Sequence, residues 1–273
     1  MSNAQSECQC PTLLVVAPSH HGPPGSQPGT AGNDRGHVAF LAPPKVSPLD
    51  MARDSFDDQY QGCVPAMNAK LPDLYSFERQ MNLLFARGWY EAQTEWQRRG
   101  SPVSPLASPW HAVALMAYTS QDVHKEFNKA VQVAGHSRQE YIKHFHFKTL
   151  HFLLTQALVT LRHAQNAQCY NVFRGVRNIR FQARHGQRVR FGQFASTSLS
   201  EPVALQFGTD TIFKVHTCHG ADIRQFSMFP GEEEVLIPPY ETFEVTDVTR
   251  DGKMTWISLH STGTSSKYNC ALL

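Results

Sequence analysis

Two hydrophobic periods divide the sequence near Cys169, and that division confines the chain to folds in which helices come first and strands afterwards. Between Asp73 and Arg99, residues Leu74, Phe77, Met81, Leu84, Phe85, Trp89, Ala92 and Trp96 recur at three- and four-residue steps, which places them on one face of an amphipathic helix. After a Pro-rich break, Val113 to Tyr118 form an apolar run. Thr119 and Asp122 then have the spacing of a helix start, so a short helix is expected over 122–134. Ser137 and Glu140 have capping-box spacing ahead of Tyr141, Phe145, Phe147, Leu150, Leu154, Leu158 and Leu161, which predicts one long helix there. Beyond Cys169 the apolar residues come in short β-prone runs at 172–173, 189–191, 194–196, 211–215, 235–237, 243–245 and 256–259, separated by turn residues. The expected class is α+β, with a helical N-terminal lobe and a mainly antiparallel β-core.

Residues 1–50 fit neither period. They are rich in Pro, Gly, Ser and His, as in Gly22-Pro23-Pro24-Gly25 and Pro43-Pro44, and are expected to be a disordered extension ahead of one domain over 51–273. A 273-residue chain with 41% apolar residues has material for one core and a small helical lobe. The 25 Lys and Arg nearly balance the 23 Asp and Glu, so no broad field favours nucleic acid. No apolar run reaches the roughly 18 to 20 residues that cross a bilayer. Glu7 and the brief patch Leu13 to Ala17 do not resemble an export signal, and the residues before Leu273 do not read as a lipid-anchor signal. The six cysteines, at 8, 10, 63, 169, 218 and 270, lack paired C-x-x-C spacing. Four of them read as disulfide-forming, which requires an oxidising compartment, while Cys8 and Cys10 stay unassigned.

Three segments carry candidate chemistry. Arg174, in Val172-Phe173-Arg174-Gly175, is an arginine in a β-prone apolar run and needs an anionic partner, either a structural carboxylate or a ligand phosphate. Gly175 would let a backbone or a ligand approach closely. Ser196 and Ser198 alternate in a strand and share a face, where hydroxyls can orient a ribose or a carboxylate. Glu232, Glu233 and Glu234 enter an apolar strand. If strand geometry extends back through them, Glu232 and Glu234 share one side and Glu233 points away. His144, His146 and His151 offer no coherent metal set, because the first two face different sides of a helix.

Arg, then Ser-x-Ser, then Glu-x-Glu, in that order, resembles the signature of the vertebrate arginine-specific mono-ADP-ribosyltransferases. The resemblance runs from Ser55-Phe56-Asp57-Asp58-Gln59-Tyr60 to Tyr268-Asn269-Cys270. It includes His144 to Phe152, Phe173-Arg174-Gly175-Val176, Gly192-Gln193-Phe194-Ala195-Ser196 and Phe229 to Pro239. It implies an ADP-ribosyltransferase fold, with the helical lobe on a mainly antiparallel β-sandwich core, and makes 51–273 the catalytic domain.

The implied activity is transfer of a single ADP-ribose from NAD to arginine side chains of acceptor proteins, with release of nicotinamide through an oxocarbenium-like transition state. NAD is then a co-substrate, with NADP as an alternative, and no metal takes part. By the same resemblance Arg174 holds NAD phosphate, Ser196 orients the glutamate and the ribose, and Glu234 stabilises the developing charge. Glu232 marks arginine as the acceptor, because a carboxylate can bind a guanidinium, aim it and help remove its proton. Tyr118 and Ser227 match positions that contact NAD, and Phe207 matches an aromatic that stacks on nicotinamide or else packs in the core. Cys63 should pair with Cys270 and Cys169 with Cys218. The implied setting is extracellular or secretory, and the implied state a monomer. An NAD glycohydrolase using the same residues, and an inactive extracellular binding module, are the competing readings.

Overall fold

The computed structural model describes residues 43–273. The stretch expected to be unstructured, residues 1–50, lies outside the described residues as far as residue 42, as do Cys8 and Cys10. Its last residues differ from expectation, because β1 (Lys45–Pro48) is a short strand.

The single helix expected over 73–99 is two helices, α1 (Val64–Met81) and α2 (Leu83–Arg98). Asn82 separates them with extended backbone, and its side chain accepts from the Phe85 amide as an N-cap. One non-helical residue leaves the apolar spacing nearly intact, so periodicity alone runs across the break. The apolar run at 113–118 belongs to α3 (Pro109–Tyr118), and the expected short helix is α4 (Val123–Ala134).

The long helix expected after Ser137 also divides, into α5 (Arg138–His144) and α6 (Lys148–Ala164). Ser137 caps α5 as its spacing predicts, accepting from the Glu140 amide at 3.1 Å. The cause of the division is tertiary. Glu78 of α1 accepts from the Lys148 and Thr149 amides at 2.6 and 2.8 Å, supplying from another helix the carboxylate that the N-terminus of α6 needs. Phe145 and Phe147 stay buried through the break and join Phe85, Phe127, Tyr141 and Phe152 in the helical core.

The β-half comprises β2 (Tyr170–Val176), β3 (Ile179–Gln182), β4 (Arg188–Val189), β5 (Ala195–Ser198), a short α7 (Glu201–Leu205), β6 (Thr211–Thr217), β7 (Ala221–Asp222), β8 (Glu234–Ile237), β9 (Glu241–Asp251) and β10 (Met254–Thr264). All seven expected β-prone runs lie in or against strands; β1, β3 and β7 are additional. The sandwich core is built from one eight-stranded sheet, ordered β4-β9-β10-β6-β2-β5-β8-β7, with the two-stranded β1/β3 ribbon against it. Within the large sheet only β10 and β6 run parallel. Phe181 of the ribbon packs on Phe213 of β6 at 5.5 Å between ring centroids, and Phe191 packs on both Phe213 and Phe243.

Two disulfides close the fold as expected, Cys63 with Cys270 and Cys169 with Cys218, at sequence separations of 207 and 49. Loop closure of that size stabilises by about 5 and about 4 kcal/mol in the chain-entropy description. Among the described residues the one grouping of three metal-type ligands is Cys169, His216 and Cys218, and its two sulfurs are joined to each other. Both ring nitrogens of buried His151 are occupied, by the Tyr60 hydroxyl at 2.8 Å and the Phe56 carbonyl at 3.2 Å.

Candidate active site

The order β2-β5-β8 brings the three candidate segments onto neighbouring strands. β5 and β8 pair along four positions, whereas β2 and β5 meet at one, Phe173 opposite Ser198. The parting of β2 from β5 leaves a cavity of about 610 Å³, closed on its other side by the end of α3 and the first turns of α4. Arg174, Gly175, Ser196, Ser198, Phe207, Glu232 and Glu234 all line it, as does Tyr118.

Arg174 projects from β2 and donates to the Ser196 carbonyl at 2.6 Å. That bond fixes one nitrogen of the guanidinium. The charge has no carboxylate in ion-pair contact among the described residues, so its remaining donors are available to an anion in the cavity. Burial pulls the Arg174 pKa down from its usual value, against the opposing influence of Tyr118 and Glu234. A side chain at Gly175 would collide with the carbonyl oxygens of Ala204 and Gly208, so glycine here admits α7 and its following loop against β2.

Glu234 begins β8 opposite Ser198 and is 4% exposed. Burial pushes its pKa up to about 7. Hydrogen bonding from Ser196 acts against this, repulsion from Glu232 adds to it, and Arg174 and the Ser227 hydroxyl again oppose it. The site thus contains a carboxylate whose ionised form is costly and is supported by two hydroxyls and a nearby arginine.

The strand geometry expected through the three glutamates does not extend past Glu234. Glu232 ends a 3-10 turn (Pro230–Glu232), and Glu233 takes a left-handed backbone with φ 47° and ψ 47°. The consequence drawn from alternation still holds by a different route. Glu232 and Glu234 both line the cavity, while Glu233 turns away, with its carboxylate 4.0 Å from Arg224. A left-handed non-glycine residue is a strained conformation, and here it aims two carboxylates at one space. Glu232 is half-buried, and burial raises its pKa.

Tyr118, at the end of α3, lies with its hydroxyl 3.2 Å from Ser196 Oγ and donates to the Phe194 carbonyl at 3.0 Å. Burial, with the neighbouring Glu234 charge, pushes its pKa up to about 12, so it remains a neutral phenol. Phe207 is 53% exposed on the cavity wall, which favours an aromatic platform over core packing. Ser227 is placed differently from the expectation of ligand contact. It is fully buried, does not line the cavity, accepts from the Phe229 amide at 3.1 Å, and favours the ionised form of Glu234. Arg99, which follows α2 as its C-cap, holds that segment by donating to the Ser227 and Met228 carbonyls at 2.7 and 3.3 Å.

Two residues that were not among the candidates for chemistry belong to this set. Asn128 of α4 lines the cavity and bonds to Tyr118, and Thr119 accepts from the Met228 amide at 2.9 Å. Asn128 had a legible signal, a polar residue among the buried Val123, Phe127, Val131 and Ala134 of one helix.

The residues therefore combine an anion-seeking guanidinium, an exposed aromatic, hydroxyls near a buried carboxylate, and a second carboxylate at the wall. A family model described as NAD:arginine ADP-ribosyltransferase matches residues 49–267. The erythroblast NAD(P)(+)--arginine ADP-ribosyltransferase of Gallus gallus is 51% identical over 231 residues, covering 84% of this chain and 77% of the relative. The GPI-linked NAD(P)(+)--arginine ADP-ribosyltransferase 1 of Homo sapiens is 50% identical over 239 residues, covering 81% and 73%. Among solved structures, a mutant of the eukaryotic mono-ADP-ribosyltransferase ART2.2 in complex with NAD superposes with a TM-score of 0.72 at 38% identity, covering 82% of this chain and 98% of that one.

Proposed function

The chain belongs to the NAD:arginine ADP-ribosyltransferase family, and from that premise we propose that Arg174, Ser196, Glu234 and Glu232 carry its reaction. The protein transfers a single ADP-ribose from NAD to arginine side chains of acceptor proteins and releases nicotinamide. Residues 51–273 form its catalytic domain.

Arg174 binds a phosphate of NAD through the donors that the Ser196 carbonyl leaves free. Phe207 offers its exposed face to the nicotinamide ring. Glu234, with Ser196 and Ser227 supporting its ionised form, engages the ribose and stabilises the positive charge that develops as the bond to nicotinamide breaks. Ser227 acts through Glu234 rather than on NAD. Glu232 binds the incoming guanidinium, directs one nitrogen to the ribose carbon, and takes up its proton. The relatives' names support NADP as a second donor. An extracellular setting is supported by the two disulfides and by the GPI-linked name of the human relative; no helix among the described residues is long and apolar enough to cross a membrane.

One observation carries this reading: Glu232 and Glu234 open on one cavity while Glu233 between them does not. A glycohydrolase needs only Glu234. An inactive binding module has no use for a buried carboxylate whose ionisation opposes folding. Glu232→Gln should abolish transfer to arginine and retain NAD hydrolysis, since water still reaches the ribose carbon. Nicotinamide release measured beside labelled acceptor checks this, and equal loss of both contradicts the assigned role.

A further inference from the structure

An arginine at the end of a helix can reach the last carbonyls of that same helix. Arg99 does not, because both of its Nη groups leave α2 for a segment 128 and 129 residues away. Nη1 donates to the Ser227 carbonyl at 2.7 Å and Nη2 to the Met228 carbonyl at 3.3 Å, while Nε donates to Glu95 at 2.6 Å. The planar fork thus spans two successive carbonyls, and Glu95 sets its plane. Nearby, the Met228 amide donates to Thr119, which follows α3, Gln225 donates to the Ser104 carbonyl at 3.2 Å, and Phe226 is buried in the helical core. Residues 225–228 are therefore fixed to the helical half of the domain. The turn after them has no such support. Phe229, Pro230 and Gly231 are exposed, a side chain at Gly231 would meet nothing within 4 Å, and the backbone bonds are local, from Glu232 to Phe229 at 3.0 Å and from Glu233 to Pro230 at 3.2 Å. The sheet takes hold again at Glu233, whose carbonyl accepts from the Leu199 amide at 3.1 Å, and at Glu234 in β8.

We propose that Arg99 is a positioning residue for arginine transfer: by clamping the Ser227 and Met228 carbonyls it fixes the start of the turn that carries Glu232, and so decides how well the ribose carbon is offered to a guanidinium rather than to water. The proposal rests on Glu232 being the carboxylate that binds the acceptor. Glu232 is the last residue of an exposed turn hung between two anchors, one on the helical half through Arg99 and Thr119, the other on β8. Loss of the Arg99 anchor lets the turn drift, and a carboxylate that must aim one guanidinium nitrogen loses its geometry first. Glu234 is held separately, by the pairing of β8 with β5, and water needs no aiming. Hydrolysis is therefore spared where transfer is not. A lysine at position 99 offers one compact donor group in place of a fork and holds the two carbonyls less firmly.

The test compares Arg99→Met, which removes every donor, with Arg99→Lys, both in the whole chain. Two rates are read for each: nicotinamide release from NAD without acceptor, and labelling of an arginine analogue from NAD labelled in its ADP-ribose. Arg99→Met should lower kcat/KM for the analogue by roughly 10- to 100-fold, while the hydrolysis rate and KM for NAD stay nearly unchanged. Arg99→Lys should move the ratio of transfer to hydrolysis in the same direction by less. A structural role alone would lower both rates together with the folded fraction and leave that ratio where it was. Thermal melts identify a variant that has failed to fold; if Arg99→Met does so, the ratio measured for Arg99→Lys decides. A folded variant with an unchanged ratio overturns the proposal, as does an equal loss of transfer and hydrolysis, which would place the action of Arg99 on Glu234. Undiminished labelling of the analogue by Glu232→Gln, or none by the unaltered chain, would instead overturn the functional reading on which the proposal stands.

Discussion

Arg190 and Arg174 both lie in the β-half of the chain, and each has a buried carboxylate in its neighbourhood, yet the fold treats them in opposite ways. Arg190 Nη1 donates to Asp57 at 2.6 Å, with side chains 5% and 0% exposed, and to the Ser265 carbonyl, while Nε and Nη2 reach the Met51 and Ala52 carbonyls. Asp57 also accepts from the Lys267 and Tyr268 amides. This set is saturated, and it ties the start of the domain to its C-terminal segment. Arg174 has one carbonyl partner and no carboxylate in ion-pair contact among the described residues, although Glu234 lines the same cavity. Complete pairing marks a charge that the fold uses; incomplete pairing marks a charge kept for a ligand.

Breaking the saturated set should have the largest effect. Asp57→Ala leaves the Arg190 charge and two backbone amides unpaired in the interior, and should cost about 3 to 5 kcal/mol of stability, read from thermal or urea melts. Activity should fall only with the folded fraction.

The same kind of change in the cleft should have the opposite sign. Glu234 has a folded pKa of about 7 against 4.5 for an unperturbed glutamate. Its carboxyl binds a proton more tightly in the folded state, and at pH above 7 its ionisation opposes folding. Glu234→Gln should therefore raise stability at pH 8 by up to about 3 kcal/mol, with the gain vanishing below pH 4.5 where both states are protonated. Melts at the two pH values check this, and a destabilised variant at pH 8 would place Glu234 with Asp57.

Arg174→Lys should raise KM for NAD by roughly tenfold or more while leaving the melt nearly unchanged, because an ammonium keeps the charge but not the planar fork. Initial rates over a range of NAD concentrations decide it. The mildest effect is that of pH on the unaltered enzyme, where kcat/KM for NAD should decline as pH falls through about 7, following protonation of Glu234 in the free protein.

The two sets were not equally legible in the sequence. Arg174, Ser196, Glu232 and Glu234 lie in short segments that are weak singly and become legible through their resemblance, in that order, to a family signature, and adjacent strands bring the segments together. Nothing local marks Asp57 and Arg190 as partners, since their contact is made across 133 residues. The helices show the same limit. Their apolar faces were visible, but the breaks at Asn82 and before Lys148 are set by a single cap and by Glu78, a residue 70 positions away. Glu232 was placed by strand alternation, and the left-handed Glu233 achieves the same convergence through a turn. Ser227 shows a further limit, because sequence carries no depth: the resemblance implies contact with NAD, and the residue is fully buried outside the cavity lining.

The most direct measurement is to incubate the purified chain, unaltered and as Glu234→Gln, with NAD labelled in its ADP-ribose and an arginine analogue at pH 8, while recording nicotinamide release and a melt of each protein. The unaltered chain should label the analogue and release nicotinamide, and the variant should do neither while melting at a higher temperature. Undiminished labelling by Glu234→Gln, or a variant that is inactive because it has unfolded, would contradict a carboxylate held unpaired for catalysis.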